Sequence, residues 1–328
     1  MHQNPCQLAG LGRRNFHRNL VGFDIDQYLV GGDGVEITDV DGYRTVDAVG
    51  GLWNVNLGYS CAPVKQAIAD QLEKLPYYSI FRGTSNDAAI ELSMMLSEFF
   101  APEGMCRAFY TSGGSDSVEI ALRLARQYHK LRGEAGRVKF LSLKKGYHGT
   151  HTLGASVNGN ANFRTQYEPL MPGCYHIPAP YTYRNPFDET DPARLAQLCL
   201  AALEDEIKFQ DASTIAGFIM EPVLGAGGVI PPHESFMPMV REICDRNGIL
   251  LIADEVITAF GRTGETEKGE PITVHASDKP VSGFVFTNRS RGVRWVLVEV
   301  FSDHRALHFE FVHQVPGFNA DFHKLEGG

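Results

Sequence analysis

The stretch Ile249–Gly264, ILLIADEVITAFGRTG, restricts the fold of this chain more than any other. Its first five residues, Ile249 to Ala253, are apolar, include β-branched members, and follow the turn signal Asn247-Gly248. A short run of this kind fits a strand buried on both faces of a parallel sheet. It stops at two adjacent acids, Asp254 and Glu255. In open α/β sheets ligands bind beyond the carboxyl ends of the strands, so an acid placed there is a candidate ligand contact. The competing reading is an acid that caps a helix or pairs with an arginine.

The rest of the chain supplies strands and helices to go with it. Val35–Val40 and Tyr43–Ala48 flank Asp41-Gly42, which predicts a hairpin with a two-residue turn in a small N-terminal subdomain. GGLWNVNLGYS, Gly50 to Ser60, is a glycine-rich loop whose Trp53 either lines a pocket or is simply buried. Apolar spacing predicts helices over Pro63–Leu75 and Asp87–Phe99, and a strand over Ala108–Thr111. Val118, Ala121, Leu122 and Ala125 mark one face of a helix that runs to about His129. Strands follow at Val138–Leu143 and Ile215–Met220, and helices at Ala193–Ile207 and Ser235–Arg246. The polar, proline-rich stretch from about Asn158 to Thr190 is too long for an ordinary loop and predicts a functional or interface-forming connection. Alternation of this kind implies an α/β fold, a mainly parallel sheet flanked by helices.

Charge and cysteine usage remove other classes. A formal net charge of −9 over 328 residues argues against wholesale binding to nucleic acid or to an acidic membrane surface. The six cysteines form no CxxC pair, which predicts a reducing, cytoplasmic setting and no structural metal. The N-terminal stretch has no apolar signal segment, and no run approaches the roughly 18 apolar residues of a membrane span.

Four strand ends carry groups suited to chemistry. Ser112-Gly113-Gly114-Ser115-Asp116-Ser117 joins a strand to a helix, where small residues, serine hydroxyls and free N–H groups suit an anion such as phosphate. The same turn also reads as a plain cap, with Ser115 supported by Asp116 and Glu119. It is neither a P-loop nor a dinucleotide fingerprint. Tyr147-His148 follows the next strand, and an aromatic there could stack on a flat ring or pack against the sheet edge. Glu221-Pro222 and Asp254-Glu255-Val256 end two more. Phosphate donors, an aromatic plane and acids on one edge suit a planar, phosphorylated, nitrogen-bearing cofactor.

From about Gly34 to Gly264 the chain resembles the class III pyridoxal-phosphate (PLP) aminotransferases, and within them the omega-aminotransferases that include β-alanine–pyruvate enzymes. The resemblance rests on VDGYRTVDAVGGLWNVNLGYS, LPYYSIFRGTS, FYTSGGSDSVEIALRLAR, KGYHGTH, FIMEPVLGAGGVIPP and LIADEVITAFGRTG. It implies the aspartate-aminotransferase type of fold and pyridoxal 5'-phosphate as cofactor. It further implies that Gly114 and Ser115 hold the phosphate, that Tyr147 and Val256 lie on the two faces of the ring, and that Asp254 pairs with the pyridine nitrogen. Glu221 matches the acid of an E-P motif that shapes the site. Trp53 and Phe81 match substrate-pocket aromatics, Phe81 reaching across a homodimer. The implied reaction moves an amino group from an amine or omega-amino acid to a 2-oxo acid such as pyruvate. Where many relatives have Asn-Ser-Gly-Ser-Glu, this chain has Ser-Gly-Gly-Ser-Asp at Ser112–Asp116.

Beyond Gly264 the resemblance ends. The family places a Schiff-base lysine about thirty residues past the aspartate. No lysine is identifiable in that role here, the nearest being Lys268 and Lys279. The expected organisation is therefore a small-domain segment (1–49), a PLP-binding large domain (50–264) that lacks its last strands, and a divergent tail (265–328). The tail carries five of the twelve histidines; His304 and His308 have helical i, i+4 spacing, but Val296, Val298 and Val300 alternate just before them, so solvent-facing histidines are expected rather than a metal site. A truncated or frameshifted, non-catalytic family member is the alternative reading.

Overall fold

A computed structural model of the chain describes residues 29–79, 83–101, 105–260 and 262, with the backbone of 281–288 and 293–300. The chain divides into two compact units, the first ending at Asp70 and the second starting at Gln71.

The first unit holds a three-stranded antiparallel sheet, β1 (Leu29–Asp33), β2 (Glu36–Asp39) and β3 (Arg44–Val46). The hairpin at Asp41-Gly42 forms, but its turn is longer than the expected two residues. Asp39 N donates to Tyr43 O, which leaves Val40, Asp41 and Gly42 as a three-residue loop. Gly42 takes the positive φ of +83° that closes such a loop. The Asp39 carboxylate accepts from both Asp41 N and Tyr43 N at 2.9 Å, and this favours the wider turn. The glycine-rich loop that follows makes a left-handed turn, with positive φ at Gly50, Gly51, Leu52 and Trp53. Asp47 accepts from Gly51 N at 2.6 Å and from Tyr59 OH at 2.5 Å, bracing that turn. Trp53 is half-buried in it.

Helix α1 (Ala62–Lys74) runs past Gln71, where the second unit starts, and α2 (Asp87–Phe99) follows, capped by the Asn86 side chain accepting from Ala89 N at 3.0 Å. Strand β4 (Ala108–Thr111) and helix α3 (Gly114–Leu131) come next, then β5 (Lys139–Leu143) and a short α4 (Thr152–Val157). Strand β6 (Cys174–Ile177), helix α5 (Pro192–Gln210), β7 (Ile215–Met220), α6 (Phe236–Asn247) and β8 (Leu250–Asp254) complete the alternation. The tail adds β9 (Val281–Asn288) and β10 (Val293–Val300). The sheet order is β4-β10-β9-β8-β7-β5-β6, parallel except for β9. Two further findings depart from the sequence expectation. The tail contributes strands where the last strands are expected to be missing, β10 containing the alternating valines. The long connection after Asn158 contains the edge strand β6, whose four residues, CYHI, are too short and too polar to stand out by pattern. Lys268, Lys279, His304 and His308 lie outside the described residues.

Both faces of the central strands β5, β7 and β8 are covered, as their near-continuous apolar runs demand. On one side α5 and α6 pack Leu195, Leu203, Phe236 and Val240 against Leu141, Phe218, Met220 and Leu251. On the other, α3 and α4 pack Val118, Ala121, Leu122, Ala125 and Leu153 against Phe140, Ile219, Leu250 and Ile252. Odd and even residues of one strand thus serve opposite layers. At the amino ends of the strands a single buried side chain joins three of them. Arg137 donates to Ala212 O (2.8 Å), Ile215 O (3.0 Å) and Asn247 O (3.2 Å), tying the starts of β5, β7 and β8 together.

Candidate active site

The opposite, carboxyl ends of β4, β5, β7 and β8 bear the groups singled out in the sequence. Strand β4 leads through Ser112 into α3, whose N-cap is Gly113 in extended conformation with no side chain capping the helix. The cap reading of Ser115 therefore does not hold. Ser115 lies inside the first turn, and its hydroxyl accepts from Thr150 N at 3.0 Å instead. The first-turn N–H groups carry the positive end of the helix dipole without a capping side chain. Ser112 donates to Asp116, and His151 Nδ1 stands 3.3 Å from the other Asp116 oxygen.

The segment after β5 is pressed against this helix start. Gly149 has φ +93°, and a Cβ there would come within 2.7 Å of Ser115 Oγ. Only glycine lets the two backbones approach so closely. Tyr147, two residues earlier, donates its backbone N–H to Glu221 Oε1 at 2.9 Å, and its ring meets the edge of Phe163 at 4.8 Å. Burial, and then the charge of Asp254, raise the Tyr147 phenol above its ordinary range.

His148 turns the other way, into the protein, and its Nδ1 lies 2.8 Å from Asp254 Oδ2. Asp254 is 5% exposed and His148 1% exposed. The second carboxylate oxygen receives only a 3.3 Å contact from Val256 N. A carboxylate offers about four acceptor positions, so this one retains capacity for a further donor. Both Glu221 oxygens accept from the backbone, one from Tyr147 N and the other, at 2.7 Å, from Gly225 N. Burial, reinforced by the charge of Asp254, holds its carboxyl above the usual range against the pull of those N–H groups and of His148.

Gly114, Ser115, Tyr147, Glu221, Asp254 and Val256 thus all lie at the carboxyl ends of the strands of one sheet. Trp53 lies in the first unit, and Phe81 lies outside the described residues. Two residues of the site carry no sequence signal of their own. His148 stands in the sequence only as the neighbour of Tyr147; its role follows from the buried acid at the end of β8, which it reaches from the end of β5 across the intervening β7. Asn158 stands in the sequence only as the start of a long connection; its buried carboxamide accepts from His148 N and donates to Gly149 O. The donor set fits PLP: uncapped N–H groups and a hydroxyl for a phosphate, an aromatic, and a buried acid with a free acceptor position.

Residues 25–267 match the family model described as aminotransferase class-III. The uncharacterized aminotransferase YhxA of Bacillus subtilis is 42% identical over 234 residues, covering 71% of this chain and 50% of that protein. The putrescine–pyruvate aminotransferase of Pseudomonas aeruginosa is 38% identical over 233 residues, covering 71% and 51%. Among solved structures, a PLP-bound amine transaminase from an uncultivated Pseudomonas species superposes with a TM-score of 0.73 at 48% identity, covering 80% of this chain and 57% of that one. An (S)-enantioselective omega-transaminase from Thermomicrobium roseum gives a TM-score of 0.71 at 35% identity, covering 80% and 60%. The chain spans about half the length of the curated relatives it matches. With the PLP-dependent transferase fold and the strand-end acids and glycine-serine turn on one sheet edge, it belongs to the class III aminotransferases, a transferase family whose cofactor is pyridoxal 5'-phosphate.

Proposed function

We propose that the chain holds PLP at this sheet edge and carries the cofactor-binding part of a transaminase. The reaction assigned to it takes an amino group from an amine or omega-amino acid and delivers it to a 2-oxo acid such as pyruvate. The observation that carries the reading is the buried Asp254–His148 pair, in which one carboxylate oxygen is fixed from behind and the other keeps an open acceptor position. A plain helix cap has no need of a buried imidazole partner. The names of the relatives support the substrate class, since one couples putrescine with pyruvate and a structural neighbour is an omega-transaminase.

In this reading each residue has a separate task. The N–H groups at Gly114 and Ser115, with the Ser115 hydroxyl, receive the phosphate. Tyr147 and Val256 would hold the ring. Asp254 holds the proton on the pyridine nitrogen, and His148 orients that carboxylate. When bound, PLP supplies a sink for the electron pair released as the substrate Cα–H bond breaks. Glu221 acts through the backbone of Tyr147 and Gly225, shaping the cofactor site. Trp53 and Phe81 are assigned to the substrate pocket, Phe81 across a homodimer, and the domain assignment keeps residues 50–264 as the PLP-binding part.

Titration of the purified chain with PLP, followed by absorbance, tests the cofactor assignment. Ser115→Asp sets an anion against the phosphate, and the expected outcome is at least a tenfold loss of PLP affinity. An unchanged affinity refutes the phosphate assignment. Borohydride reduction with peptide mapping, beside an assay of amine-dependent conversion of pyruvate to alanine, tests the reaction itself. A single labelled lysine with turnover supports it, whereas PLP binding with neither reduces the chain to a cofactor binder.

A further inference from the structure

We propose that Asn158 is a positioning residue that fixes the Tyr147-His148-Gly149 turn as one piece. Three contacts of the site hang on that turn: the ring of Tyr147, the His148 hold on Asp254, and the close approach of Gly149 and Thr150 to Ser115. Backbone pairing supports only its beginning. Lys145 N donates to Gly159 O at 2.8 Å and Gly159 N to Gly146 O at 2.9 Å. Past Gly146 the side chain of Asn158 takes over, accepting from His148 N and donating through Nδ2 to Gly149 O at 2.8 Å.

The chemistry demanded at this point is narrow. An acceptor must face an N–H and, on the same planar group, a donor must face a carbonyl. A neutral carboxamide does both, and at 1% exposure no bulk water can substitute for either. Asn158 is itself held in place. Its carbonyl accepts from Arg164 Nη1 at 3.2 Å, and the same guanidinium reaches Ser156 O and lies 2.8 Å from the His176 ring. A rigid frame thus runs from β6 through Arg164 and Asn158 to the turn that bears the site.

The test uses the full chain, 15N-labelled, with Asn158→Ala and Asn158→Asp. The aspartate keeps the shape and the acceptor toward His148 N but sets a second oxygen against Gly149 O. Two readouts are taken on folded protein, the His148 ring-nitrogen resonances without cofactor and the dissociation constant for PLP. The expected result is a displaced His148 Nδ1 resonance in both variants, with PLP bound at least tenfold more weakly and helix content unchanged. Unmoved His148 resonances in a folded variant overturn the proposal. The wild-type chain gives a check that needs no substitution: the Asn158 amide proton facing Gly149 O exchanges slowly, and rapid exchange there also overturns it. The PLP arm rests on the proposed function. Failure of the wild-type chain to bind PLP refutes that function, while the ring resonances and amide exchange still decide the role of Asn158.

Discussion

Lowering the pH should unfasten the frame behind the site through one histidine. His176, on the edge strand β6, has a ring nitrogen 2.8 Å from Arg164 Nη1. A guanidinium can only donate, so that ring nitrogen must be an unprotonated acceptor. Burial, and after it the Arg164 charge, push the His176 pKa down from 6.5 to about 4, against weaker upward pulls from the Asn158 and Val157 carbonyls. The unfolded chain takes up this proton near pH 6.5 and the folded chain only near pH 4, so between these values the unfolded state binds more protons. Stability therefore falls as the pH falls through that window and is fully retained above it. A shift of this size is worth about 3 kcal/mol in total, of which about 2 kcal/mol is lost between pH 7 and pH 4.5. The assay is urea unfolding at half-unit steps over that range, for the wild type and for His176→Gln, which keeps an acceptor toward Arg164 but cannot titrate. Other groups contribute to both curves, so the difference isolates His176. The wild type should lose about 2 kcal/mol more than the variant. Parallel curves, within a few tenths of a kcal/mol, would refute the argument.

Two further outcomes follow from the site. In a full-length form of the protein that supplies the Schiff-base lysine, Asp254→Asn should leave PLP bound yet cut amine-dependent turnover by about a hundredfold, in line with the loss of one preorganised electrostatic contact; steady-state kinetics checks this, and near-normal turnover would reduce the carboxylate to a structural role. Gly149→Ala should cost about 2 kcal/mol or more in urea unfolding and weaken PLP binding together, because its positive φ and its contact with Ser115 both resist a Cβ; a neutral effect on both would show that the turn stands off the helix.

The second unit is legible where one physical signal dominates. The runs Ala108–Thr111 and Ile215–Met220 form strands over the residues expected, and Asp87–Phe99 forms a helix over its full expected length, because apolar periodicity and bounding turn residues agree there. Strand ends carrying Asp254, Glu221 and Tyr147 share an edge for the same reason: parallel strands must all point one way. What pattern could not reveal depends on tertiary pairing. The three residues of the Val40–Gly42 turn follow from where Asp39 spends its carboxylate, β6 from a vacant edge beside β5, and the work of His148 and Asn158 from partners 106 and about ten residues away.

The three carbonyls gathered by Arg137 have a consequence for how this gene can change in length. One guanidinium binds the approaches to strands β5, β7 and β8, which run five, six and five residues to the edge that bears Tyr147, Glu221 and Asp254. Strands rise about 3.3 Å per residue, and a shift by one residue also sends each side chain to the opposite face. A single-codon insertion or deletion between Arg137 and Tyr147, between Ile215 and Glu221, or between Asn247 and Asp254 would thus carry one group out of line with the other two. The loops entering from the Arg137 side bear no such constraint, so length variation among descendants of this chain should collect there and be absent from the strands.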